Sequence, residues 1–364
     1  MPPGEARAGR GALVAAAFDV PLGHDDGPPR VAPDAAVVLV TLDGVRWQDV
    51  FVGADPKLAR AAGVPAPAAA ALMPHLDALV AERGVALGAP GHGAVAASGP
   101  SYVSLPGYTE IFTGRRAHDC ADNGCGRTRI PTVFDEARDS GGDGTDIAVF
   151  ASWERLERAA TARPGRFVLS CGRAAGAADE VLRTDDTTRD LLDRAGRTDP
   201  YPGSGDFRPD RLTAAIALRY LETRRPTLLF VGLGEPDEYA HRGDYAGYLA
   251  SLRAADDTLG ELFEVLGRLG TRGEHTTVIV TADHGRGRDW RSHGRGYPES
   301  GRVWLVAAGA GVTERGFSRS LRPHHLADVA PTVRVLLGLP PDEDDASGSP
   351  LAEVLDGGAH EPVR

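Results

Sequence analysis

Apolar residues along this chain gather into short unbroken runs separated by longer amphipathic stretches. The first run, 36–42, reads Ala-Val-Val-Leu-Val-Thr-Leu and is closed by Asp43-Gly44. Runs of the same kind recur at 147–151, 167–171, 227–233, 277–282 and 303–308. Without alternation, such runs suit strands covered on both faces, as in a parallel sheet. Helical spacing fills most of the intervals. From near Asp244, the residues Tyr245, Leu249, Leu252, Leu259, Phe263 and Leu266 advance by four, three, seven, four and three positions, which places them on one helix face. Leu212, Ile216 and Tyr220 mark a shorter helix at steps of four. Strands alternating with helices predict an α/β fold: a doubly wound, mostly parallel sheet flanked by helices. In such a fold ligands collect at the carboxyl ends of the strands.

Composition marks the limits of this domain. Residues 1–34 are rich in Gly, Pro, Ala and charge and read as a loose arm, 35–340 as a single domain, and 341–364 as an acidic, turn-rich tail. With 364 residues, 42% of them apolar, the chain is long enough to bury a large core. A formal net charge of -11 argues against nucleic acid as a partner, because a phosphate-backbone binder needs a basic face. Lys57 is the only lysine, and the arginines are scattered rather than clustered. No run approaches the roughly 20 apolar residues of a membrane span. Arg7 and Arg10 precede a short apolar stretch, 12–18, with Ala15 and Ala17 in an Ala-x-Ala pattern. This is only faintly like a secretion leader, so a soluble protein of the cytoplasm or of an exported compartment fits equally. The three cysteines are too few for a disulfide framework. Cys120 and Cys125 are close enough to close a small loop, but ordinary half-buried thiols are the expectation.

Ionisable groups stand where the strand-end rule predicts chemistry. Asp43 ends the first strand, and Asp283-His284 ends another. Beyond the 227–233 run comes Gly-Glu-Pro-Asp-Glu-Tyr-Ala-His, in which Asp237 and His241 are four apart and share a face if the segment is helical. His293 follows nine residues after His284. Taken singly, an aspartate after a strand is more often a cap or turn former, and a histidine more often a surface group. As a set they offer oxygen and imidazole ligands without thiolates, a mixture that suits two Zn²⁺, with other divalent ions also admitted. Ser104 precedes Pro106, which suits a first helical turn, and Gly114 would end that helix. Ser104 then stands at a helix N-terminus, where backbone amides favour a phosphate. Thr109, inside the helix, faces away.

Together these segments resemble the alkaline phosphatase superfamily, and more narrowly its nucleotide pyrophosphatase/phosphodiesterase-like branch. The resemblance runs from Val37 to the segment His324-His325-Leu326-Ala327-Asp328 and the residues just after it. It implies that Asp237, His241 and His293 bind one zinc. Asp43, Asp283 and His284 would bind the other, with the Ser104 hydroxyl completing that set. In that branch the nucleophile stands two residues before a proline and nine before a Thr-Gly pair, a spacing that Ser104, Pro106 and Thr113-Gly114 share. The resemblance also implies Asn123 as a phosphate contact. Arg46 and Arg115 are candidates to meet the extra charge of a monoester.

The expected activity is hydrolysis of a small-molecule phosphate mono- or diester through a phosphoryl-serine on Ser104. The alternatives are a phosphotransferase or phosphonate hydrolase of the same superfamily, or a catalytically weak zinc-binding relative. Ser-Leu-Pro-Gly-Tyr at 104–108 lacks the arginine of the sulfatase motif, and the chain has no obvious room for a phosphomutase's inserted domain. The short His284–His293 interval implies a more open site than in phosphodiesterase relatives. Nothing in the sequence indicates an oligomeric state.

Overall fold

The apolar runs at 36–42, 147–151, 228–233 and 276–281 form strands with every residue buried, because they sit inside the sheet with a layer on either face, whereas 168–171 at the sheet edge is half buried. A computed structural model describes residues 32–355, apart from 33, 118, 142, 175–177, 313–315, 343 and 345. The expected arm therefore lies almost wholly outside the described residues, as does the leader-like stretch. In chain order the strands are β1 (Ala36–Leu42), β2 (Gly84–Leu87), β3 (Val95–Ala96), β4 (Ile147–Ala151), β5 (Val168–Cys171), β6 (Leu228–Leu233), β7 (Thr276–Thr281), β8 (Arg302–Val303), β9 (Leu305–Gly309), β10 (Gly316–Phe317) and β11 (His324–His325).

Eight of them form one sheet in the order β10-β2-β9-β7-β1-β6-β4-β5. β1 lies between β6 and β7 and is parallel to both, with Val40 opposite Val231 on one side and Val280 on the other. β9 runs antiparallel to its neighbours β7 and β2. The fold is thus the expected α/β arrangement, a large, mostly parallel sheet flanked by helices. The 303–308 run is one departure. It breaks at Trp304, whose indole N–H donates to Val45 O at 3.0 Å, so Val303 pairs with Val95 in a small second sheet while Leu305 begins β9.

The longest helix, Tyr245–Arg268, starts where the periodicity places it, with the Asp244 side chain accepting from Gly247 N–H. It buries Tyr245, Leu249, Leu252, Leu259 and Leu266. Phe112, Phe134 and Phe230 pack edge to face beneath the Ser104–Thr113 helix and tie it to the sheet. Because β1, β6 and β7 are adjacent and parallel, their carboxyl ends open at one edge. The described part of the tail includes Leu351 and Val354, both buried.

Candidate metal centre and nucleophile

Three strand ends and one helix N-terminus build the site. Asp43 follows β1, Asp283 and His284 follow β7, and β6 leads into the Glu235–Arg242 helix that carries Asp237 and His241. That helix is capped from outside, since both carboxylate oxygens of Asp210 accept from its first amides at Gly234 and Glu235. One helical turn then brings His241 Nε2 to 3.1 Å from Asp237 Oδ2. Two glycines make the close approaches possible. Gly44 has φ +64°, and a Cβ there would fall 2.6 Å from Asp237 Oδ1; its N–H donates to Asp283 Oδ1 at 3.1 Å. A Cβ on Gly107 would fall 2.4 Å from Asp283 O, so the Ser104–Thr113 helix rests directly on the β7 end.

The candidate ligand atoms converge in two sets, Asp237 with His241 and His293, and Asp43 with Asp283 and His284. Within each set they lie within 4.8 Å of one another. Two of the histidines are oriented as ligands. His284 Nδ1–H donates to Gly285 O at 2.9 Å, and His293 Nδ1–H donates to Tyr102 O at 2.8 Å. In both rings Nε2 is left as a lone pair facing the site, as is usual for a metal-binding imidazole whose other nitrogen donates to a carbonyl. His241 Nε2 and His293 Nε2 are 2.9 Å apart. Asp283 Oδ2 is buried without a hydrogen-bond partner. An orphaned carboxylate oxygen and converging lone pairs are what a cation would satisfy.

Electrostatics point the same way. Burial, then Asp283 and Asp237, push the Asp43 carboxyl well above the usual range. Burial and Asp237 push Asp283 up to about 7. Burial lowers His284 to about 4, and burial with His284 lowers His293 to about 3. Asp237 differs: burial opposes its ionisation, but Arg286 and then His241 outweigh burial and hold it well below the usual range. Proton and cation would therefore compete for the Asp43 and Asp283 carboxylates, while the Asp237 carboxylate is favoured in its ionised form by Arg286.

Ser104 is the first residue of its helix and is buried. Its Oγ lies 3.3 Å from His284 Nε2 and 3.5 Å from Asp43 Oδ1. Thr109 Oγ1 instead donates back to Leu105 O at 2.8 Å, away from the ligands. Asn123 stands beside Ser104, its Oδ1 accepting from Leu105 N–H at 2.8 Å. The two arginines suggested by the sequence are engaged elsewhere. Arg46 makes a buried bidentate pair with Asp49 at 2.7 Å, and Arg115 pairs with Asp342 and Asp344. Among the described residues neither contacts Ser104 or a ligand side chain.

The fold is shared with known phosphatases. A variant of the alkaline phosphatase PafA superposes with a TM-score of 0.64 at 13% identity, over 90% of this chain and 100% of that one. Residues 206–341, which carry Asp237, His241, Asp283, His284 and His293, match the Metalloenzyme superfamily. Over those residues the chain is similar to that metalloenzyme family, and its fold is that of an alkaline phosphatase. The chain is 28% identical over 176 residues to the 2,3-bisphosphoglycerate-independent phosphoglycerate mutase of Haloarcula marismortui, covering 46% of this chain and 31% of that one. It is 29% identical over 259 residues to the phosphopentomutase of Methylobacterium radiotolerans, covering 70% of this chain and 57% of that one. The matches thus span about a third to just over half of these relatives' length.

Three features of the site and its surroundings escaped the sequence reading. Arg286 is buried and donates to Gly44 O at 3.1 Å, to Arg291 O at 2.7 Å and to the Asp237 carboxylate. Its one sequence signal is its position two residues after His284. Tyr108, one turn past Ser104, donates its O–H to Asp43 Oδ2 at 3.0 Å. Cys120 and Cys125 form a disulfide rather than the free thiols expected, since the turn at Asp122–Gly124 brings them together.

Proposed function

We propose that this chain is a two-zinc hydrolase of small phosphate esters, with Ser104 as the nucleophile. The observation that carries the reading is the place of the Ser104 hydroxyl: at the first turn of a helix, within 3.5 Å of two members of one ligand set, and next to the amide of Asn123. Divalent cations held by the two sets supply Lewis acidity, lowering the pKa of the hydroxyl and offsetting charge on the group transferred.

The chain's own residues do the rest. Tyr108 fixes the outer oxygen of Asp43 and leaves the other facing Ser104. Arg286 keeps Asp237 ionised and adds one positive charge to a site with three carboxylates. With two divalent cations, that leaves the site cationic toward an incoming anion, despite the acidic surface. Asn123, held beside Ser104 by Leu105 N–H, would offer a donor to the phosphate. The reaction would pass through a phosphoryl-serine that water then hydrolyses. The Ser104, Pro106 and Thr113-Gly114 spacing supports the phosphodiesterase-like branch of the superfamily.

A second reading, phosphoryl transfer to an acceptor other than water, draws on relatives named as mutases. It differs in one observable: added alcohols or sugar phosphates would capture the phosphoryl group in place of water. The test is metal analysis of purified protein, combined with turnover of nitrophenyl phosphate and bis-nitrophenyl phosphate. Two zinc ions per chain and turnover of either ester support hydrolysis. Less than one metal ion per chain, or no turnover with zinc or manganese restored, contradicts it.

A further inference from the structure

We propose that the Cys120–Cys125 bridge is a positioning device for the phosphate group, acting through Asn123 inside the loop that it closes. The proposal rests on the phosphate-ester reading above and adds to it the element that preorganises the anion contact.

Asn123 Oδ1 is committed to Leu105 N–H, the amide next to Ser104. The carboxamide is planar, so its NH₂ group must turn to the opposite side, and among the described residues it has no partner. A free N–H₂ donor fixed beside a nucleophile suits a non-bridging phosphate oxygen. No regular secondary structure holds the segment that carries it; side-chain and turn hydrogen bonds do. Among the described residues of 116–131 there is no helix or strand. Around Asn123 its ties are Asp122 Oδ1 accepting from Gly124 N–H at 2.7 Å, Arg155 donating to Asn123 O at 3.2 Å and Arg158 donating to Cys125 O at 3.0 Å; beyond Cys125, Arg127 donates to Glu157 O at 2.6 Å and Thr128 N–H to Arg158 O at 2.8 Å. The bridge is the one covalent tie, and Asn123 lies within the ring it closes. Opening the ring frees the backbone of Asn123, which must then be ordered again each time an anion binds. A contact made equally to bound substrate and to the transition state changes KM rather than kcat.

The experiment uses full-length, metal-loaded protein in four forms: wild type, the Cys120→Ser/Cys125→Ser double variant, Asn123→Ala, and the three changes combined. Inorganic phosphate affinity is measured by calorimetry, and KM and kcat with nitrophenyl phosphate. Without the bridge, phosphate affinity falls about five- to tenfold, KM rises in step and kcat stays within about twofold. Added to Asn123→Ala, loss of the bridge has no further effect, which a merely structural role would not produce. Wild-type affinity without the bridge, or losses that add in the combined variant, overturns the proposal.

If the serine variant does not fold, native protein reduced by a trialkylphosphine replaces it. Phosphine, water and disulfide give phosphine oxide and two thiols. The same rise in KM is expected, reversed on reoxidation, and an unchanged KM overturns the proposal. A wild type that binds phosphate but turns over neither ester removes the hydrolase reading and leaves the phosphate cycle to decide. A wild type that binds no phosphate overturns both.

Discussion

His241 Nε2 and His293 Nε2 face each other at 2.9 Å across the carboxylate of Asp237. The His293 ring has already spent its proton on Tyr102 O, so its Nε2 brings a lone pair to that contact. Replacing His241 by Ala removes one of three ligands and lowers the metal content from two ions per chain toward one, read by elemental analysis after gel filtration. Two ions retained by this variant would place the second ion elsewhere.

The metal-free protein has a pH dependence of opposite sign to ordinary carboxylate pairing. Asp283 has its folded pKa raised to about 7 from an ordinary value of 3.8. Its contribution to stability is complete below the unfolded value and is lost as pH rises through about 7. In chelator, the stability of wild type should therefore fall between pH 4 and 7 relative to Asp283→Asn, which has no proton to lose. Thermal melts across that range check it; parallel curves for the two proteins would count against it.

Arg286 is fully buried against Asp237. Arg286→Ala leaves that carboxylate without its guanidinium and should cost about 3 kcal/mol of stability, the usual penalty for breaking a buried pair from one side. Denaturant titration of metal-free protein measures it, and an unchanged midpoint would show that Asp237 is solvated.

Gly107→Ala drives a methyl group toward Asp283 O, with an ideal separation of only 2.4 Å. The helix and the β7 end must part, at a cost of about 1–3 kcal/mol. Asp283 and Ser104 both lie at that junction, so activity should fall more than stability does. Wild-type melting and turnover in this variant would remove the close packing from the account.

Much of this was legible in the sequence because strands buried on both faces leave unbroken apolar runs. The residues just past β1, β6 and β7 then fall at one sheet edge by topology alone, which points to Asp43, Asp237, Asp283 and His284. His241 follows from its four-residue step after Asp237, and His293 lies farther on and was assigned as a ligand through the resemblance. Arg286 was not legible, because nothing periodic surrounds it in Gly-Arg-Gly-Arg and its role depends on Gly44, 242 positions away. Arg46 and Arg115 stood close in sequence to Asp43 and Ser104, but nearness in the chain does not decide direction. Asp49, three residues after Arg46, takes its guanidinium, and the Asp342 neighbourhood takes that of Arg115. The Cys120–Cys125 pairing depends on a turn whose Asp122 side chain bonds Gly124, a local geometry that spacing alone does not specify.

The central claim is that the Ser104 hydroxyl attacks the ester. Turnover of nitrophenyl phosphate and its diester by Ser104→Ala, at the same metal content as wild type, tests it most directly. The account predicts a fall of about a thousandfold or more, because removing the nucleophile leaves only binding and electrostatic help from the site. Turnover within a fewfold of wild type would show that another group, or water itself, performs the attack.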